Sequence, residues 1–330
     1  MVAPGVNSQS GRRKGDPNKN PTPIDTSNTA EPTTTPGKPG QEGKSSTRQG
    51  SGDNDDVVRI SSNLVPVPAS VVDKQGYALT NLKLEDFELR VDGQIKPISE
   101  LSYAQTPVRL AMLFDNSGSL LAFREIEKHA ASGFFRRVLR PIDQAAIYSV
   151  ATDYYLAQPL TNDIKRLEQT ISGFAKPEGG TALLDALVEA ARYLRPYQGR
   201  KVIVIVSDGA DTISDVPFDT ALQRVLSEDC EIYVVQTGLY ESANVRDLMA
   251  ERRMGSLSDQ TGGAVYIPRT TADLETAFED IATDLAQQYV LSYYAAEQTR
   301  DGQFHTLALS VKNRKDARVR SRRGFYAPRA

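Results

Sequence analysis

The chain has 330 residues, 39% hydrophobic and 25% charged, with one Cys, two His and no Trp. A single cysteine excludes a disulfide framework and any cysteine-rich zinc or iron–sulfur site, and His129 and His305 are too few for a multi-histidine zinc centre. A net charge of −3 gives no global attraction to nucleic acid or to acidic membrane surfaces. No apolar run reaches the roughly 18–20 residues of a membrane span, and the opening MVAPGVNSQSGRRKG holds no apolar signal-peptide core.

Residues 1–56 contain no aromatic side chain and are dominated by Pro, Gly, Ser, Thr and Asn. Such a segment cannot bury enough apolar area to offset the cost of ordering it, which predicts a disordered tail or linker. From 57 to 106 the pattern turns to β. Val65, Val67, Ala69 and Val71 alternate with Pro66 and Pro68 between them, which predicts an edge strand or a bulge. Phe87, Leu89 and Val91 alternate next, and Asp92-Gly93 turns the chain back through Ile95 and Ile98.

From 107 to 287 strands alternate with amphipathic helices. Strands are predicted over 108–114, 145–151, 201–207, 231–236 and 264–267, the strongest being continuous apolar runs of the kind that lie centrally in a parallel sheet. Helices are predicted over 120–139, 164–174, 182–194, 218–228, 245–261 and 272–287. In the last, Leu274, Phe278, Ile281 and Leu285 fall on one face. The alternation predicts a doubly wound α/β domain. From 288 to 330 the pattern is β again, with Tyr289, Leu291 and Tyr293 alternating, and then Leu307, Leu309 and Val311. Each β flank has only about 40–50 residues, near the lower limit for folding alone. The two are therefore expected to pair into a small β-sandwich that carries the α/β domain as an insert.

Ligands of doubly wound sheets bind at the carboxyl ends of the strands. There the sequence places Asp115-Asn116-Ser117-Gly118-Ser119, Gly179-Gly180-Thr181 and Ser207-Asp208-Gly209. The candidate ligands Asp115, Ser117, Ser119, Thr181 and Asp208 offer two carboxylates and three hydroxyls, with no sulfur or nitrogen donor among them. An oxygen-only set suits a hard divalent cation, Mg²⁺ most simply. If the hydroxyls bind directly and the carboxylates act largely through water, the ion keeps much of its charge and attracts an external carboxylate.

Each residue also has a plainer role. Asp115 and Ser117 sit where a helix N-cap belongs, Thr181 could cap the helix that follows it, and Asp208 could only shape a turn. Asp211 reads as a capping or solvated loop residue, Asp185 as favourable near a helix N-terminus, Cys230 as a small buried residue, and both histidines as structural. Between Lys312 and Arg329 eight basic residues face one acid, Asp316. No aromatic interleaves the seven basic residues from Lys312 to Arg323 as a nucleic-acid platform requires, so Arg318, Arg320 and Arg322 read as one charged face of an edge strand.

The Asp-x-Ser-x-Ser after the first strand of the α/β region, the Thr of Gly-Gly-Thr-Ala-Leu-Leu-Asp-Ala and the Ser-Asp-Gly after a Val/Ile run resemble the metal-ion-dependent adhesion site of von Willebrand factor type A domains. With Leu84-Glu85-Asp86-Phe87 and the closing Gly324-Phe325-Tyr326-Ala327-Pro328, the chain resembles the related bacterial proteins common in Acidobacteria. The resemblance implies a six-stranded, mostly parallel sheet with helices on both faces, a Mg²⁺ or Mn²⁺ site that binds protein partners through an Asp or Glu carboxylate, and export to the periplasm or beyond. The leading expectation is a non-enzymatic binding module. An alternative is a Mg²⁺-dependent hydrolase or phosphatase, although the three site loops offer no His, Lys or Arg to serve as base or phosphate clamp. A third is a structural spacer with a vestigial metal site.

Overall fold

The computed structural model describes residues 64–103, 106–118, 124–176, 178–237, 248–295, 301–314 and 316–327. The tail expected over 1–56 lies outside them, as do Ser119 and the predicted helical residues 120–123 and 245–247.

The apolar runs become the strands of one six-stranded sheet. In chain order these are β5 (Val108–Asp115), β6 (Gln144–Val150), β7 (Tyr154–Thr161), β8 (Arg200–Ser207), β9 (Cys230–Gln236) and β10 (Val265–Tyr266). The first four strands of the chain, β1 (Leu64–Val72), β2 (Phe87–Val91), β3 (Gln94–Lys96) and β4 (Glu100–Tyr103), belong to the flanking sheets. The spatial order is β10-β9-β8-β5-β6-β7, parallel throughout except β7, which runs antiparallel to β6. Strand β7 has no counterpart among the predicted strands: it forms a sheet edge, half exposed, and its Gln158-Pro159 breaks the alternation that would have marked it.

Six α-helices are seen among the described residues: α1 (Arg124–Val138), α2 (Ile164–Ser172), α3 (Leu183–Leu194), α4 (Phe218–Ser227), α5 (Leu248–Thr261) and α6 (Thr271–Gln287). Alternate side chains of β5 divide between two cores. Leu110, Met112 and Phe114 pack with α1, α2 and α6, whereas Ala111 and Leu113 pack with α3, α4 and α5. Burial on both faces explains why these strands read as continuous apolar runs.

The chain closes with β11 (Tyr289–Tyr294), β12 (Phe304–Val311), β13 (Arg318–Ser321) and β14 (Gly324–Tyr326). Strands from the two flanks interleave in two antiparallel four-stranded sheets, β13-β1-β11-β4 and β14-β12-β2-β3. Val67 and Tyr293 of the first sheet meet Leu89, Leu307 and Phe325 of the second in one apolar cluster, the expected sandwich.

Two details differ from expectation. Strand β1 is internal, paired with β11 on one side and β13 on the other. The Pro66 carbonyl faces away from β11, accepting from Arg322 Nη2 at 2.7 Å, so the N–H that Pro66 and Pro68 lack would point the same way. On that side β13 begins its pairing only at Ala69, and no donor is required. The basic strand β13 is an edge, as read, and Arg318 is exposed on it, but Arg320 and Arg322 do not make a solvated face. Arg320 pairs with Asp284 near the end of α6, and Arg322 pairs with Asp229 ahead of β9. They clamp the sandwich to the α/β layers, and α6 enters β11 through the single residue Gln288, whose side chain bonds Arg200, Glu231 and Tyr233.

Candidate metal centre

Asp115 ends β5, the strand held between β6 and β8, and its carboxylate is 1% exposed. Oδ1 accepts the Ser117 N–H at 2.9 Å and Oδ2 accepts the Ser207 hydroxyl at 2.5 Å. Burial pushes its pKa up to about 6, against the pull of the Ser207 and Ser117 hydrogen bonds and with the push of the Asp208 charge. Ser117 is as buried as Asp115.

Backbone hydrogen bonds lace the three site loops together. Glu178 N–H donates to Asn116 O at 3.1 Å, and Gly118 N–H to Gly179 O at 3.2 Å. Thr212 N–H donates to Thr181 O at 3.0 Å, and Thr181 N–H to the Thr212 hydroxyl at 2.9 Å. Asp208 directly follows Ser207, the partner of Asp115, and its Oδ1 accepts the Ala210 N–H at 2.9 Å. Asp115, Ser117, Thr181 and Asp208 thus lie in adjoining loops at one end of the sheet; Ser119 is outside the described residues.

Two glycines make these loops possible. Gly179 has φ +79°, and a Cβ there would overlap the Thr152 hydroxyl; Gly209 has φ +84°, and its Cβ would meet Met254 Cγ at 3.1 Å.

The plainer roles sort themselves residue by residue. The cap of α3 comes from Asp211, which accepts the N–H groups of Leu183 and Leu184 at 2.9 and 3.2 Å, so the hydroxyl of buried Thr181 is not the cap. Asp185 accepts from Asp215 N–H and Val216 N–H and fixes the loop after Asp208. His305 is bound between Asp92 and Asp301 in the sandwich, and Cys230 is buried.

Reading by motif missed Arg124 and Glu127. Arg124 donates from Nη1 to Asp115 O at 2.8 Å, also bonds Asn116 Oδ1, and stacks 4.4 Å over the Phe114 ring. Glu127, one turn along the same helix, is 1% exposed with neither carboxylate oxygen hydrogen-bonded. Their sequence signal is a pair of charges in phase with the buried stripe of Ala130, Ala131 and Phe134.

Among the described residues no three His, Cys, Asp or Glu side chains converge as a ligand group. The donors that adjoin are chiefly hydroxyls beside two aspartates, and one carboxylate of the pair is buried with hydroxyl and amide partners. That donor chemistry fits a hard cation bound through oxygen and does not fit a soft, thiolate- or imidazole-seeking metal.

Residues 110–210 match the family model of the von Willebrand factor type A domain. No curated protein matches the chain. Among solved structures, an aerotolerance-related membrane protein from Bacteroides fragilis aligns at 21% identity, covering 54% of this chain and 98% of that one, with a TM-score of 0.45. BatB from Bacteroides thetaiotaomicron aligns at 18% identity over 53% and 98%, TM-score 0.43. The vWF domain of the type V pili tip protein Mfa5 from Porphyromonas gingivalis aligns at 13% identity over 54% and 94%, TM-score 0.42.

Proposed function

We propose that this chain, which carries a von Willebrand factor type A domain, is a non-enzymatic protein-binding module whose partner docks through a divalent cation. Ser117, Ser119 and Thr181 would hold Mg²⁺ or Mn²⁺ directly, with Asp115 and Asp208 acting largely through water. The ion supplies a positive centre with an open position for an Asp or Glu carboxylate of the partner protein.

The observation that carries this reading is Asp115: a carboxylate 1% exposed, whose oxygens are met by a hydroxyl and an amide rather than by a side-chain cation. A buried carboxylate to which no side-chain cation is bonded is costly, and an ion bound beside it removes the cost. The direct donors are neutral, so an ion there keeps the charge that attracts a carboxylate. Export to the periplasm or cell surface belongs to the same reading. The one cysteine, Cys230, is buried and free, so the fold does not depend on the redox state of its compartment.

The test is isothermal titration with Mg²⁺ and Mn²⁺, followed by capture of binding proteins from the exported fraction of the source organism with Mg²⁺ and elution with EDTA. Asp115→Ala and Thr181→Ala should each remove metal binding and capture while leaving the circular dichroism spectrum intact. Capture that survives both EDTA and Asp115→Ala sinks the metal bridge. Metal-dependent turnover of phosphate or ester substrates, lost in Asp208→Ala, sinks the non-enzymatic reading.

A further inference from the structure

Glu127 is the buried charge that the proposed metal bridge leaves unused. It lies in the first turn of α1, three residues after Arg124, and both are buried, at 1% and 4% exposure. Arg124 spends its two Nη groups on Asp115 O and Asn116 Oδ1, and its Nε has no partner. No hydrogen bond joins it to Glu127, whose two oxygens are both without partners. The hydroxyl of Thr237, the residue after β9, is itself fully buried and is the polar group that most favours the charged form of this carboxylate. Its neighbour Gln236 donates to Asp208 O at 3.0 Å, so the end of β9 touches the centre as well.

The local charge does not balance. Among the described residues the buried carboxylates Asp115 and Glu127 share one guanidinium, Arg124, and half-buried Asp208 adds its charge to theirs. Burial pushes Glu127 up to about 7, the Thr237 hydroxyl and then Arg124 pull it down, and Asp115 and Asp208 add to the push. A fold that tolerates this excess of negative charge in its interior has a place for a positive one.

We propose that Glu127 is a third carboxylate of the cation centre, acting on the ion through its charge rather than as a ligand, and that it sets how tightly the centre holds Mg²⁺ or Mn²⁺. The inference rests on the metal-bridge reading. Ligation by Glu127 is not invoked, since it forms no ligand group with Asp115 and Asp208. With neutral hydroxyls as direct donors the ion's affinity depends on the field of nearby carboxylates. Glu127 contributes to that field from a site no partner can reach, so the outward-facing position stays open.

The experiment compares wild type with Glu127→Gln, which keeps the shape and removes the charge, and with apolar Glu127→Met as a second variant. Mn²⁺ and Mg²⁺ affinities are measured by titration calorimetry, and melting temperatures in EDTA and in saturating Mn²⁺. Both variants should bind metal about tenfold or more weakly, the scale of lost outer-shell partners. In EDTA both should melt above wild type because an uncompensated buried charge is gone, and in saturating Mn²⁺ that advantage should vanish or reverse. A merely structural residue would shift the melting temperature equally in both conditions. Equal shifts with unchanged affinity overturn the inference while leaving the metal bridge standing. A wild-type protein that gives no metal isotherm overturns the metal bridge itself, and this inference with it.

Discussion

Gly179→Ala tests how the loop before Thr181 is held. At φ +79° an alanine enters the left-handed region at a cost of about 1–2 kcal/mol. Its methyl would also overlap Thr152 Oγ1, with Thr152 Cβ 3.4 Å away. The Thr152 hydroxyl accepts Gly180 N–H at 3.0 Å, so swinging it aside gives up a hydrogen bond worth about 0.5–1.5 kcal/mol. Together the losses come to about 2–3 kcal/mol. At about 2–4 °C per kcal/mol for a folded unit of this size, the melting temperature should fall by about 5–10 °C. Urea and thermal denaturation of Gly179→Ala, Thr152→Ala and the double variant give the assay. With Thr152 already cut back, Gly179→Ala should cost the backbone strain alone, making the double variant more stable than the sum of the single losses predicts. A Gly179→Ala protein that melts within about 2 °C of wild type, a difference below 1 kcal/mol, refutes the reasoning, as does strict additivity.

Arg320 and Asp284 join the sandwich to α6, and removing one partner of a buried pair typically costs about 3–5 kcal/mol. The Arg320 side chain is 34% exposed, so Arg320→Met and Asp284→Asn should each cost less, about 2–3 kcal/mol, and the double variant less than their sum. A double-mutant cycle with no coupling would show that the pair does not join the layers. His305 has its pKa raised, first by the hydrogen bond to Asp92 and also by that to Asp301, against the opposing effect of burial. A raised folded value means the pair's stabilisation is fully present below the unfolded pKa of about 6.5 and is lost as pH rises through the folded value. The advantage of wild type over His305→Phe in urea denaturation should decline across that window; a difference independent of pH refutes the assignment.

What was legible in the sequence follows from which physics leaves a local trace. Strands β5, β8 and β9, covered on both faces, had to be continuous apolar runs, and the helices had to carry stripes such as Leu274, Phe278, Ile281 and Leu285. Asp115 and Asp208 stood out because each closes or follows such an apolar run, and Ser117 and Thr181 because each adjoins a glycine in a loop that meets them. The edge strand β7 left little trace because one side has no partner and Pro159 costs it little. The placement of β1 was hidden for a related reason: prolines exclude a strand only where the neighbouring strand needs their N–H, and that depends on how far β13 extends. Arg320 and Arg322 read as surface charges because their partners, Asp284 and Asp229, come from distant parts of the chain, and Glu127 belongs to no motif.

Strands β4 and β11 are neighbours in one sheet, Tyr103 opposite Tyr289, and residues 104–288 leave and return between them. From the sandwich's side the whole α/β domain is the turn of a β-hairpin. Closing a turn of that length in a flexible chain costs about 3 kcal/mol more than closing a tight one. Once the α/β layers have formed, the ends of the insert are already side by side and the penalty is gone. The pairing of the two flanks therefore depends on the insert being folded, and damage to the α/β core should also weaken a sheet that shares no strand with it.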